Sequence, residues 1–141
     1  MKHYQHILVL VSDEQDGRLL LHRANQMIQQ DARITLAHIL IDYRAMNYIS
    51  DSMMNDAGSS QVIEIKALLN HLAASSPYPV TTRVIISLDK VRALATFIRK
   101  QEVDLVIIGH HNRLFGVLTS RSMAFINHLD VDCFICHIPP D

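Results

Sequence analysis

The stretch Asp104-Leu105-Val106-Ile107-Ile108-Gly109-His110-His111 holds an unbroken apolar run, mostly β-branched, closed by a glycine and two histidines. Such a run suits a parallel strand covered on both faces, because no position in it is kept for solvent. Similar runs lie on either side of it: Ile7 to Val11, Ile34 to Leu40, Thr82 to Ile86 and Val131 to Cys136. Thr82 to Ile86 alternates more than the others and is the candidate edge strand. Between these runs the period changes from strand-like to helical. From Asp13 to Gln30, Leu20, Ala24, Met27 and Ile28 fall on one helical face, with Asp13, Glu14 and Asp16 at the end where the helix dipole is positive.

Val62, Ile65, Leu69 and Leu72 continue the helical spacing in the next segment, which should stop before Pro77-Tyr78-Pro79 because proline removes a backbone donor and restricts its predecessor. Asp89 is the expected N-cap for Val91, Leu94, Ala95 and Ile98, and Thr119 or Ser120 for Met123, Ile126 and Leu129. The expected order is therefore β-α-β-α-β-α-β-α-β in a single domain over residues 1–141, with no internal repeat and no linker. Strands that alternate with helices make a parallel sheet with helices on both faces, joined by right-handed crossovers. Asp42 to Ser60 falls outside this scheme. It carries Tyr43, Met46, Tyr48, Ile49, Met53 and Met54 among Asp, Asn, Ser and Gly, and is expected to be a long connection that forms a flap over the sheet's end, a ligand lid or a partner surface.

Composition narrows the class. The chain has 141 residues, 49% of them hydrophobic and 19% charged, which fits one folded domain rather than a disordered chain. With 13 Lys and Arg against 14 Asp and Glu, the net charge of -1 gives no general attraction to nucleic acid or anionic lipid. Arg83, Lys90, Arg92, Arg99 and Lys100 cluster in sequence but are diluted by Asp89, Glu102 and Asp104, so they read as a solvated face. No apolar run approaches the ~20 residues that span a bilayer, and the start offers no secretory leader, so a cytoplasmic protein without a membrane partner is expected.

In an open parallel sheet, ligands sit beyond the carboxyl ends of the strands where the strand order reverses. Val11-Ser12-Asp13 and Ile108-Gly109-His110-His111-Asn112 are the segments to watch. His6 to Val11, the strand ending Ala37-His38-Ile39, and above all Asp104 to His111 with the later strand Val131 to Ile135, together resemble the universal stress protein family. The resemblance runs from about residue 3 to residue 138. It implies a five-stranded parallel sheet of order 3-2-1-4-5 in a three-layer α/β/α fold, a role in stress resistance, and homodimers joined through the last strand, here Val131, Phe134, Ile135 and Ile138.

Many members of that family hold ATP on a glycine-rich loop after the fourth strand. Laid onto this chain, the first glycine is Gly109, the second falls on Asn112, the third on Ser122 and the closing hydroxyl residue on Met123. Glycine lets backbone N–H groups approach phosphate closely, and methionine cannot donate a hydroxyl hydrogen bond. ATP-binding members also carry an Asp directly after the first strand, where Ser12 stands here and Asp13 comes one residue late. The chain therefore resembles the subclass without the full ATP motif, typified by the founding bacterial member. No cofactor is expected. The rival is an ATP-binding, nucleotide-gated switch, for which Ser12, Asp13, Gly109, His110, Asn112 and Ser122 are the candidate contacts, with Arg113, Ser120 and Arg121 as further donors near a helix N-terminus.

Other chemistry finds little support. Among nine histidines, His3 and His6 lie at a strand start where side chains three apart diverge, His110 and His111 are neighbours at a strand end, and no His-Glu-x-x-His or Cys/His quartet exists. His38 and His137 read as hydrogen-bonded residues at strand ends, and His110, at the crevice, has the best functional case. Cys133-Phe134-Ile135-Cys136 spells C-x-x-C, yet in a strand its thiols stand ~10 Å apart on opposite faces, too far for a disulfide. No nucleophile elbow or P-loop is present, and no catalytic activity is expected.

Overall fold

A computed structural model describes residues 4–29, 31–41, 52–111 and 129–139. In chain order they form β1 (His6–Leu10), α1 (Glu14–Met27), β2 (Arg33–Ile41), α2 (Ser52–Ala74), β3 (Val80–Ser87), α3 (Lys90–Gln101), β4 (Leu105–His111) and β5 (Asp132–Ile138). The strands make one all-parallel five-stranded sheet in the order β3-β2-β1-β4-β5. Thr82 to Ile86 lies in β3 at an edge, as its alternation predicts. The helix expected after β4 lies outside the described residues.

Two-residue periodicity sends alternate side chains into two cores. Ile7 and Val9 of β1, Ile34 and Leu36 of β2, Leu105 and Ile107 of β4, and Cys136 and Ile138 of β5 pack beneath Leu20, Leu21 and Ala24 of α1 and Leu69 and Leu72 of α2. Leu8, Ala37, Ile39 and Val106 point the other way, onto Leu94 and Ile98 of α3. Each such side chain contributes roughly 1.5–3 kcal/mol by leaving water, and the central strands are apolar throughout because both faces are covered.

The helix ends follow from their caps. Asp13 is the N-cap of α1 and Asp89 that of α3, whose carboxylate accepts from Arg92 N at 3.1 Å. At the other end of α3, Glu102 takes the left-handed conformation (φ 55°) and Val103 N donates to Ile98 O at 3.0 Å, closing the helix. One expectation needs correcting: residues 52–60, read as part of the irregular connection from Asp42, belong to α2, which begins at Ser52. Stepping back from Ile65 and Val62 by helical intervals reaches Gly58 and Met54, so the periodicity extends upstream through polar residues that hid it. The rest of that connection lies outside the described residues.

Candidate functional site

Order reverses between β1 and β4, and the strands separate there. Their ladder runs Ile7 to Leu105, Leu8 to Val106 and Val9 to Ile107, and ends. Past Val9, β1 follows β2 instead: Val11 N donates to Ala37 O at 2.9 Å, and the His38 ring Nδ1–H donates to Val11 O at 2.7 Å. β4 keeps its partner β5 through His111 opposite Ile138. The divergence sets the crevice expected of a doubly wound sheet at this carboxyl end, between the start of α1 and Gly109-His110-His111.

On the α1 side three backbone donors, the amides of Ser12, Asp13 and Asp16, are already used. Ser12 N lies 3.1 Å from both carboxylate oxygens of Asp16, Asp13 N donates to Asp16 Oδ1 at 3.0 Å, and Asp16 N donates to Asp13 Oδ1 at 2.9 Å. This is a reciprocal capping box built with Asp at both positions. A helix start is a ready anion site, and here two carboxylates of the chain itself occupy it. Asp16 is 2% exposed, and burial pushes its carboxyl above the usual carboxylate range, against the pull of the Asp13 and Ser12 N–H groups. Gly17 lets this turn lie close to the sheet: a Cβ there would meet Leu72 Cδ1 at 2.5 Å and Val11 Cγ1 at 2.9 Å.

On the β4 side, Gly109 lies within the strand, opposite Cys136, rather than in a loop beyond it. A Cβ on Gly109 would stand 2.9 Å from Ile138 Cγ1, so the glycine makes room for a core side chain of β5. Ile138 is 1% exposed and its side chain is spent inside the chain, unlike Phe134, which is 38% exposed on the edge strand. Of the other last-strand residues expected at a dimer interface, Val131 and Ile135 are half-buried. His110 and His137 sit opposite each other in register, their ring centroids 5.3 Å apart and tilted 55°. Ser12 is exposed beside the crevice. Asn112 and Ser122, with Arg113, Ser120, Arg121 and Met123, lie outside the described residues.

The remaining candidates are structural. His6 opens β1 at the opposite end of the sheet, with Nδ1–H donating to Gln101 O at 2.8 Å and Nε2 accepting from the Thr35 hydroxyl at 2.8 Å. Burial, the largest influence, lowers its pKa below the usual 6.5, so the neutral ring is favoured. The Asp104 carboxylate takes the Gln5 and His6 amides at 2.8 and 2.9 Å. Cys133 and Cys136 are free, face opposite cores, and have thiols pushed up by burial. Among the described residues no three His, Cys, Asp or Glu side chains converge as a metal site, and no helix is long and apolar enough to cross a membrane. Sequence reasoning treated Asp16 as one acid among several at a helix start. The Asp13-x-x-Asp16 spacing was the signal for its role.

An open, doubly wound parallel sheet with a crevice at its switch point defines a class of α/β domain that takes ligands or partners at its carboxyl edge. Within that class the chain belongs to the universal stress protein family, whose model matches residues 3–137. Universal stress protein A from Salmonella typhi is 29% identical over 134 residues, covering 94% of this chain and 93% of that protein. The solved universal stress protein UspA from Lactobacillus plantarum superposes with a TM-score of 0.67 at 18% identity, over 96% of this chain and 99% of that one. A universal stress protein solved in complex with cAMP superposes at 0.61 and 16% identity, over 97% of this chain and 99% of that one. The likeness to these two structures concerns the fold.

Proposed function

We propose that this chain is a cytoplasmic, non-catalytic universal stress protein that works as a homodimer and through protein association, without binding ATP tightly. One observation carries the reading: at the start of α1 the amides of Ser12, Asp13 and Asp16 are held by the carboxylates of Asp13 and Asp16, so the crevice presents negative charge where a polyphosphate would need bare donors. Two departures add support. Ser12 stands where ATP-binding relatives carry Asp, and the space freed by Gly109 is taken by Ile138. Likeness to a protein named universal stress protein A favours the same class. The exposed Phe134 on β5, an edge that needs cover, supports pairing of two copies along that strand.

The second reading is a nucleotide-gated switch with at most slow hydrolysis. It draws support from the similar fold solved with cAMP, and from the crevice lying at the switch point. Native mass spectrometry of protein purified without added nucleotide separates the two. The expected result is a species with the mass of two bare chains. A monomer would overturn the dimer, and a chain carrying one nucleotide would overturn the ligand-free reading.

A further inference from the structure

The sheet has a second edge, and its chemistry differs. β3 closes the sheet on the side away from β5 and pairs with β2 along its whole length, so among the described residues its outer row of N–H and C=O groups has no strand beside it. A groove of about 450 Å³ runs between this edge and α3, and Arg83, Ser87, Arg92, Thr96, Phe97 and Lys100 line it. The sequence reads these cations as diluted by acids, yet the fold sorts the acids away. Among the described residues no carboxylate lines the groove. Asp89 accepts from the Arg92 backbone N–H, Asp104 is held on the Gln5 and His6 amides, and Glu102 closes α3. None of Arg83, Arg92 and Lys100 has an ion-pair partner among the described residues.

Two details make the edge receptive. The Arg83 guanidinium rests over the Phe97 ring, 5.7 Å from its centroid, which holds the charge beside the strand. Alternation puts Arg83, Ile85 and Ser87 on the α3 face of β3 and Ile86 on the other, where it is 51% exposed. An exposed apolar residue on a free edge strand is a liability unless something covers it. A second copy of β3 paired antiparallel about the strand's middle would bring its Arg83 close to this one, like charge near like. A nucleic acid strand would find one aromatic ring, already covered by Arg83, in place of a stacking platform.

We propose that the β3–α3 groove docks an acidic, extended segment of a partner protein as a sixth strand, with its carboxylates toward Arg83, Arg92 and Lys100 and its alternate apolar side chains against Ile86. Main-chain hydrogen bonds supply affinity in such strand addition, and alternate side chains supply selectivity. The inference rests on the partner half of the proposed function, and its failure would leave the nucleotide and β5 predictions untouched.

The test uses a fluorescein-labelled peptide of β3's length that alternates Glu and Val. Fluorescence anisotropy should show saturable binding that weakens at high salt, with slowed hydrogen exchange at β3 amides. The exposed pair Arg83→Glu and Lys100→Glu should weaken it by about tenfold or more without changing the thermal melt beyond ~2 °C, and the reversed protein should instead bind a Lys-Val peptide. No saturable binding, equal binding of a Glu-Val peptide with its residues in two blocks, or tighter binding of a single-stranded oligonucleotide or inorganic triphosphate would each overturn the proposal.

Discussion

Replacing Asp16 by Ala probes the capped turn directly. The change removes both acceptors from Ser12 N and Asp13 N, now held at 3.0–3.1 Å, from a side chain that is 2% exposed. Losing a helix-cap acceptor costs about 0.5–2 kcal/mol. Part of this is returned, because burial already disfavours the ionised Asp16. A net loss of about 1–2 kcal/mol is expected, or roughly 3–7 °C in Tm for a chain of this size. The freed amides should then accept an external anion. Inorganic phosphate at ten times its dissociation constant would return about 1.4 kcal/mol to the variant and leave wild type unchanged. Differential scanning fluorimetry across a phosphate series reads both effects, with Asp31→Ala, an exposed acid, as the charge-matched control. An Asp16→Ala protein that melts within ~1 °C of wild type, or a wild type that gains as much from phosphate as the variant, would show that Asp16 does not close this turn.

Gly109→Ala should cost about 1–3 kcal/mol in urea denaturation, since its Cβ would press on Ile138 Cγ1 at 2.9 Å, and the cost should shrink in an Ile138→Ala background; a neutral change would mean the two do not touch. Stability should fall on acidification below pH 6.5, because the unfolded His6 ring takes up its proton before the buried one, whose pKa is lowered; a His6→Gln protein should lose that slope, and an unchanged slope would place its origin elsewhere. The raised Asp16 pKa acts in the opposite sense at lower pH, favouring the folded state as pH falls toward the ordinary carboxylate value of 3.8. Mild oxidation should leave Cys133 and Cys136 unlinked by peptide mass mapping, because they face opposite cores; a Cys133–Cys136 bridge would contradict the register of β5.

Apolar runs were enough to locate the strands because a parallel sheet buried on both faces keeps no polar position. Ile7 to Val11 and Leu105 to Ile108 each fall within a residue or three of the observed strands. The misplaced start of α2 has an equally local cause: Asn55, Asp56, Ser59 and Ser60 look like loop residues, and a helix can tolerate them when its downstream turns are anchored by Leu69 and Leu72. The crevice was legible as the meeting of Ser12-Asp13 with Gly109-His110, since topology alone puts those segments together. What the crevice contains was not. Gly109 looks like a phosphate-loop glycine until Ile138, on another strand, is seen filling the place of its Cβ. Asp16 looks like a dipole-matched acid until its carboxylate is found folded back onto Ser12 and Asp13. The basic groove was hidden for the same reason, because Asp89 and Asp104 are near Arg92 and Lys100 in sequence while their carboxylates are engaged on backbone amides.

Isothermal titration of the purified full chain with ATP and magnesium reports whether the crevice takes a nucleotide. With the Ser12, Asp13 and Asp16 amides held by Asp13 and Asp16, the heats should stay at the dilution background through millimolar nucleotide. A stoichiometric isotherm with micromolar affinity would contradict the account.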